Sequence, residues 1–473
     1  QLPPQESVRP SCLTPAELLG IPLAMIFFIT DQLKIQDTTG HPQWPAIREK
    51  LQKRFTFDNP VYWDARRYRR PCKHIPRLID LYSLNKAGTV SVPRGARSIL
   101  APFFEGVEYV VQDMTVMPPL PDLTFNGVLR DYQEQAVEAA IKERDGVIQA
   151  PTGSGKTVIA AGLAAALKTT TLVLVHTSVL LEQTIERLEQ FLDVEVGRVG
   201  GGEEDWQPIT VAMVQTLLRR DLTPYRDKFG LVILDEAHHC PAETFKSVVQ
   251  QFTARYRIGL TATPTRKDRL HPVLYDVVGP IIHKVKPQTL VASGAITPSE
   301  TVVVKTAFKG AYRNDYSRLI NRLVKDAKRN ALIIEAIMQH KGNRSLVLSE
   351  RVAHCETITK TLTEHGVLAE VLTGKMSKED REGVLDRFTK GQTEILVSTP
   401  AMVGEGFDLP AIDTVFLTIP NGNVAKTTQV LGRALRPHEG KVAGKIVDFV
   451  DELVPLLANQ FKRRARVYRG FAA

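Results

Sequence analysis

The chain has 473 residues, beyond the roughly 250 to 300 at which a single hydrophobic core stops growing, so two or three domains are expected. Hydrophobic residues make up 43% and charged residues 24%, which excludes a disordered or low-complexity polymer. The formal net charge of +9 points to a polyanionic partner without saying which, and a solvated basic surface accounts for it equally.

In chain order, residues 1–118 are rich in proline and aromatics and lack a sustained strand–helix rhythm, so they are expected to form a separate, smaller α+β module. Its apolar run from Leu18 to Ile29 is broken by Gly20 and Pro22 and falls short of the roughly 20 residues that span a bilayer. Glu17 and the missing basic lead-in argue against a signal peptide, so Met25 to Ile35 is expected to be a core strand and the cytoplasm is the default location. Cys12, Cys72, Cys240 and Cys355 have neither C-x-x-C pairing nor histidines at ligand spacing, which indicates neither zinc nor disulfides and fits a reducing compartment. The proline-rich stretch Met117 to Pro121 reads as the closing linker.

From Val128 short apolar runs alternate with amphipathic helices: Gly146–Gln149, Thr171–His176, Thr210–Val214, Leu231–Leu234 and Arg257–Leu260. The rhythm restarts at Ser345–Ser349, Ala369–Leu372, Glu394–Ser398, Thr414–Thr418 and Lys445–Phe449. Continuous apolar strands with helical crossovers predict parallel sheets, so two α/β lobes in tandem are expected, over 119–286 and 287–473. A basic helix or extension, Phe461 to Arg469, ends the second lobe.

Ala150-Pro151-Thr152-Gly153-Ser154-Gly155-Lys156-Thr157 follows a strand and opens a helix. Gly153 and Gly155 let backbone N–H groups wrap a phosphate, with Thr152 and Ser154 in the same turn; Lys156 reaches the β and γ phosphates, and Thr157 offers a hydroxyl to Mg²⁺. The strict P-loop pattern has glycine where Ala150 stands. After the strand Leu231–Leu234 come Asp235-Glu236-Ala237-His238-His239. Asp235 is placed to hold Mg²⁺, Glu236 to orient and deprotonate a water, and His238 to link to a nucleic-acid side. Taken alone the same residues fit a polar strand end or a zinc-binding fragment.

With these two motifs in order, the chain resembles the DEAH-type superfamily 2 helicases over about residues 125 to 470, and most closely their XPB and UvsW branch. The resemblance implies two RecA-like lobes, ATP as substrate and Mg²⁺ as its companion ion. It implies that Gln133, in Leu129-Arg130-Asp131-Tyr132-Gln133, reads the adenine edge. His176 and Thr177 match motif Ia, and Gln215 and Thr216 a later first-lobe motif; both touch the nucleic-acid backbone. Thr261 and Thr263, in Leu260-Thr261-Ala262-Thr263-Pro264, match motif III and couple hydrolysis to lobe movement. In the second lobe Thr373 and Gly374 resemble motif IVa; Ser398, Thr399, Gly406 and Asp408 fall in motif V. The first four of these are implied on the nucleic-acid track, the last two at the nucleotide. Gln429, Arg433 and Arg436 complete a Q-x-x-G-R-x-x-R motif VI, with Gln429 coupling and the two arginines, one turn apart, entering the cleft as fingers on the γ-phosphate. Arg266-Lys267-Asp268 stands where XPB proteins carry R-E-D, with lysine for glutamate. The C-terminal segment resembles bacterial and phage members, some attached to primases. Members of the branch act on duplex or branched DNA and track 3′ to 5′, which only the similarity implies.

The front module carries Tyr62, Trp63, Arg66, Arg67, Tyr68, Arg69, Arg70, Lys73 and His74, with nine Lys or Arg against two Asp between residues 61 and 100. Cations interleaved with aromatics suit phosphate attraction plus stacking, so the module is expected to grip duplex DNA; an Arg-rich helix paired with acidic patches on the first lobe is the alternative. The whole reads as an ATP-dependent DNA helicase or translocase on duplex, forked or branched DNA, with a single strand as track. Its rivals are an RNA helicase, an ATP-switched DNA clamp, and the motor subunit of a restriction or defence assembly with a nuclease or primase partner.

Overall fold

The computed structural model describes residues 25–236, 242–262, 269–312, 315–340, 344–404, 412–438, 441 and 443–472. The N-terminal module opens with β1 (Met25–Ile29) and β2 (Gln32–Asp37), an antiparallel hairpin with Ile29 opposite Leu33. This corrects the expectation of one strand through Met25–Ile35. The chain reverses at Thr30 and Asp31, where the Thr30 hydroxyl donates to Gln32 O at 2.9 Å. Helix α1 (Trp44–Phe55) follows, burying Trp44, Ile47, Leu51 and Phe55 along one stripe of helical spacing. β3 (Thr56–Asp58), α2 (Pro60–Arg67) and β4 (Leu78–Asp80) form an appended hairpin, in which the Asn59 side chain caps α2 by accepting from Val61 N at 3.0 Å. β5 (Ser83–Leu84), β6 (Val90–Pro93) and β7 (Tyr109–Asp113) complete a five-stranded sheet in the order β5-β6-β2-β1-β7.

The first lobe holds α3 (Asp131–Glu143), β8 (Asp145–Gln149), α4 (Lys156–Leu167), β9 (Thr171–Val175), α5 (Ser178–Leu192), β10 (Gly197–Gly200), β11 (Glu203–Glu204), β12 (Ile209–Met213), β13 (Leu231–Asp235), β14 (Tyr256–Thr261), α6 (His271–Val278) and β15 (Ile281–Lys284). Its sheet runs β11-β10-β12-β9-β13-β14-β8-β15, parallel throughout except at β11. Central strands such as Thr171–Val175 are buried on both faces, which is why they read as unbroken apolar runs. The second lobe holds β16 (Ser299–Lys305), α7 (Ala327–Met338), β17 (Ser345–Leu348), α8 (Val352–Glu364), β18 (Ala369–Leu372), β19 (Ile395–Ser398), β20 (Thr414–Leu417), α9 (Val424–Ala434), β21 (Gly444–Val450) and α10 (Pro455–Tyr468). All of its strands are parallel, in the order β16-β21-β20-β17-β19-β18. The expected pair of RecA-like lobes is present.

Two buried arginines fasten the N-terminal module to the first lobe. Arg94, 0% exposed, bonds Asp145 Oδ1 through Nε at 3.0 Å and Nη2 at 2.6 Å, and gives Nη1 to Ala254 O and Thr30 O. Arg257, on β14, donates to the carbonyls of Asp31, Val277, Val249 and Phe252 at 3.0–3.4 Å. Burial, with Arg94 nearby, pushes the Arg257 guanidinium down to about 9. Arg54–Asp276 and Arg226–Asp31 add ion pairs at 2.8 and 2.6 Å. At Gly95 a Cβ would lie 2.4 Å from Gly279 N, so the backbones touch.

The second lobe is knit by its own buried polar groups. Asp448 on β21 takes both Arg464 Nε and Nη2 at 2.9 Å and the Tyr468 hydroxyl at 2.6 Å. The expected basic tail is thus partly core, because Arg464 lies on the inner face of α10. Asp451 pairs with buried Arg329 at 2.7 Å. His354 accepts at Nδ1 from Ser349 Oγ, 2.9 Å away, and donates from Nε2 to Asn330 Oδ1 at 3.1 Å. Burial, aided by the charge of Arg329, pushes His354 down to about 4. Cys72 and Cys355 are free thiols, and no helix among the described residues is long and apolar enough to cross a membrane.

Candidate nucleotide cleft between the lobes

β8, β13, β14 and β9 are neighbours and parallel, so the turns after them emerge at one edge of the first sheet. The turn after β8 is the phosphate loop. Gly153 and Gly155 have φ of +89° and +73°, conformations that favour glycine, and Lys156 starts α4 from the left-handed Gly155. The loop is braced from behind: Tyr132 Oη and Gln133 Nε2 donate to Ser154 O at 3.0 and 2.9 Å, and Ala150 N donates to Thr261 O at 2.9 Å. Gln133, expected at the adenine edge, is engaged at its other end too, its Oε1 accepting from Arg130 N at 2.9 Å. In this structure it therefore supports the loop and the start of α3.

Asp235 ends β13, and Glu236 follows with φ of +47°, a strained conformation for a non-glycine residue. Lys156 Nζ lies 2.8 Å from Glu236 Oε1, and Asp235 Oδ1 accepts from Glu236 N at 3.0 Å. The ion pair keeps both charges compensated inside the cleft. Thr152 Oγ1 and Ser154 Oγ are buried without a hydrogen-bond partner. A phosphate against this loop would meet a built donor set: two glycine-shaped turns, the Thr152 hydroxyl and a lysine. The adjoining Thr157 hydroxyl and Asp235 carboxylate are oxygen ligands of the kind Mg²⁺ takes.

A cleft of about 400 Å³ runs over this edge, lined from the first lobe by Thr152, Gly153, Gly155, Lys156, Thr157, His176, Thr177, Asp235 and Glu236, and from the second by Gln429, Arg436 and Pro437. Two groups expected on separate lobes therefore share one cavity. Burial and the nearby Arg187 both lower the Arg436 pKa. The lobes touch directly behind the loop, where a Cβ on Gly432 would lie 2.4 Å from Thr152 O. The Arg433 side chain, His238, Thr263, Gly406, Asp408 and the Arg266-Lys267-Asp268 segment lie outside the described residues.

The track residues divide. His176 and Thr177, expected on the nucleic-acid side, line the nucleotide cleft, because β9 ends beside β13; the Thr177 hydroxyl caps α5 by accepting from Leu180 N at 3.2 Å. Gln215 Nε2 donates to His176 O at 3.0 Å, joining the two first-lobe motifs, and Thr216 is half-buried beside it. Thr373 and Ser398 are buried, and Ser398 Oγ donates to Leu372 O at 2.8 Å, so Ser398 ties β19 to β18. Gly374 is exposed and Thr399 half-buried. Thr261 is buried at the end of β14.

Sequence reasoning missed Gln183, Arg187 and Phe191, which line the cleft from α5. With Leu180 they recur at helical spacing, which places them on one face, but only the position of the second lobe shows what that face meets. In the front module Arg66, Arg67, Tyr68, Arg69, Arg70 and Lys73 are all exposed. Arg67 and Arg70 lie over the Tyr68 ring at 5.9 and 5.5 Å. None of these cations forms an ion pair with a described residue. The module's fastening rests on Arg94, Arg54, Arg226 and Arg257 and on an apolar core shared with the first lobe.

Parallel-sheet lobes that meet over a glycine-shaped phosphate loop define a nucleotide-driven motor class. Family models for the type III restriction enzyme res subunit and the helicase conserved C-terminal domain match residues 126–266 and 327–438. The DNA 3′-5′ translocase XPB2 of Sulfurisphaera tokodaii is 30% identical over 386 residues, covering 72% of this chain and 86% of that protein. The DNA 3′-5′ helicase XPB of Kineococcus radiotolerans is 28% identical over 333 residues, covering 67% of this chain and 58% of that protein. The Pyrococcus furiosus Hef helicase domain shares the fold, with a TM-score of 0.50 and 18% identity over 71% of this chain and 98% of that one. The chain belongs to the superfamily 2 helicases of the XPB type.

Proposed function

We propose that this chain is an ATP-driven DNA translocase and helicase that moves 3′ to 5′ and separates or remodels duplex, forked or branched DNA. One observation carries the reading: Lys156 and Glu236 from one lobe and Arg436 from the other line a single cleft. ATP enters there as substrate, with its phosphates on the loop amides, the Thr152 hydroxyl and Lys156. Thr157 and Asp235 would hold Mg²⁺, which would supply charge neutralisation at the ATP phosphates. As Lys156 turns to phosphate it releases Glu236, which orients the attacking water and takes its proton. Arg436, with Arg433, meets the γ-phosphate from the opposite lobe, so hydrolysis requires closure and DNA that favours the closed state stimulates it. Exposed arginines around Tyr68 grip the duplex ahead of the motor by phosphate attraction and stacking.

The deciding experiment scores ATP hydrolysis and strand separation on single-stranded, duplex, forked, four-way and RNA substrates. DNA-stimulated hydrolysis with fuel-dependent unwinding is expected. Stimulation by RNA alone would overturn the DNA assignment, and binding without fuel-dependent unwinding would leave a clamp.

A further inference from the structure

The loop after the arginine helix α9 carries a charge that none of the motif roles uses. The Lys441 ammonium donates to the carbonyl of Ile412 and, at 3.5 Å, to that of Arg436, while its backbone N–H donates to His438 O at 3.1 Å. Ile412 stands two residues before β20 and four beyond Asp408 of the segment expected to form motif V. Arg436 is the arginine that lines the nucleotide cleft. One ammonium thus bridges the exits of two motifs.

Each side of the bridge is itself anchored. Asp413 N donates to Arg344 O at 2.8 Å, and Asp413 Oδ2 accepts from Arg344 N at 3.1 Å. Leu435 O accepts from Thr297 N at 2.8 Å, and a Cβ on Gly444 would lie 2.3 Å from Leu435 Cδ2, so the end of α9 is pressed against β21. Among the described residues Asp413, one residue before β20, faces the ammonium, and His438 of the same loop stands 3.3 Å from Asp413. Burial pushes the ammonium down to about 8, with Asp413 opposing. Burial thus works against a charge that Asp413 and the two carbonyls favour.

We propose that Lys441 is a positioning residue for hydrolysis: by clasping the Ile412 and Arg436 carbonyls it fixes the end of α9 so that Arg436 enters the nucleotide cleft at the right height. This rests on the ATPase reading of the cleft. A lysine serves because it has three donors on a compact charge and the two acceptors are single carbonyl oxygens. A guanidinium keeps charge and donors; a thioether keeps only length.

The test is DNA-stimulated ATPase of the full chain, titrated with ATP between pH 6.5 and 9.5, for wild type, Lys441→Met and Lys441→Arg. Lys441→Met is expected to lower kcat by about 10- to 100-fold, the scale set by misplacing a reacting group by an ångström, with KM for ATP little changed. Wild type is expected to lose kcat as pH rises through about 8, where the clasp loses its charge. Lys441→Arg should retain most of kcat and carry that alkaline limb upward. Unchanged kcat in Lys441→Met would overturn the proposal. If that variant does not fold, Lys441→Arg decides: an alkaline limb that stays with wild type would overturn it. A wild-type chain that hydrolyses no ATP under any nucleic acid overturns the cleft reading instead.

Discussion

The chain has two polar seams, built to opposite ends. Between the N-terminal module and the first lobe, Arg94 and Arg257 are buried, and their donors are committed to Asp145 and to six backbone carbonyls. Between the lobes, Lys156, Glu236 and Arg436 border an open cleft, and the Thr152 and Ser154 hydroxyls have no hydrogen-bond partner. The first seam leaves little to rearrange; the second sets charged side chains around open space. Motion is therefore expected at the cleft, with the front module carried along by the first lobe.

The largest expected effect breaks the open seam. Glu236→Gln should slow ATP hydrolysis by about 100- to 10,000-fold, the usual worth of a general base, and Lys156→Ala should abolish turnover. Both should leave DNA affinity near wild type in a filter or anisotropy assay. Substantial residual hydrolysis would remove the assigned roles.

Next comes the locked seam. Arg94→Ala strands Asp145 and two carbonyls in the interior, and breaking a buried pair typically costs about 3 to 5 kcal/mol. Urea unfolding measures it; an unshifted midpoint would mean that the module is not held there.

A third measurement asks whether the second lobe is knit as tightly. His354 is pushed down to about 4 when folded against an ordinary value near 6.5, so its contribution is whole above pH 6.5 and is lost as pH falls towards 4. That amounts to about 3 kcal/mol at most, at about 1.4 kcal/mol per pH unit. His354→Gln should flatten the acid limb of the stability curve between these limits. A limb that keeps its slope would assign the loss to carboxylates.

The smallest expected effect sharpens the role of the front module. Replacing Arg66, Arg67, Arg69 and Arg70 by alanine should leave basal ATPase unchanged. It should lower the salt dependence of duplex binding by about 0.9 in log–log slope for each phosphate that the variant no longer neutralises. Identical slopes would reduce the cluster to a solvated surface.

How much of this the sequence could carry depends on where each signal lives. The central strands were legible because burial on both faces writes an unbroken apolar run, and the phosphate loop because its glycines, lysine and following helix are contiguous. Thr30 and Asp31 make a reversal without glycine, so two strands read as one. β16 alternates between half-buried and exposed at the sheet edge, which blurs its outline. Arg94, Arg257 and Arg464 count as surface charge in any composition, although each is interior; only partners distant in sequence reveal them. Arg187 and Lys441 were silent for the same reason, since what they face belongs to another element.

Gly432 carries a last consequence. In a linear motif it is one letter of Q-x-x-G-R-x-x-R, yet here it lets bare main chain rest on the carbonyl of Thr152. Two surfaces already in contact cannot travel closer along the line joining them. The remaining space above the phosphate loop shrinks only if one lobe rolls about that point, as a jaw does on its pin, and any methyl group placed there would jam the bearing.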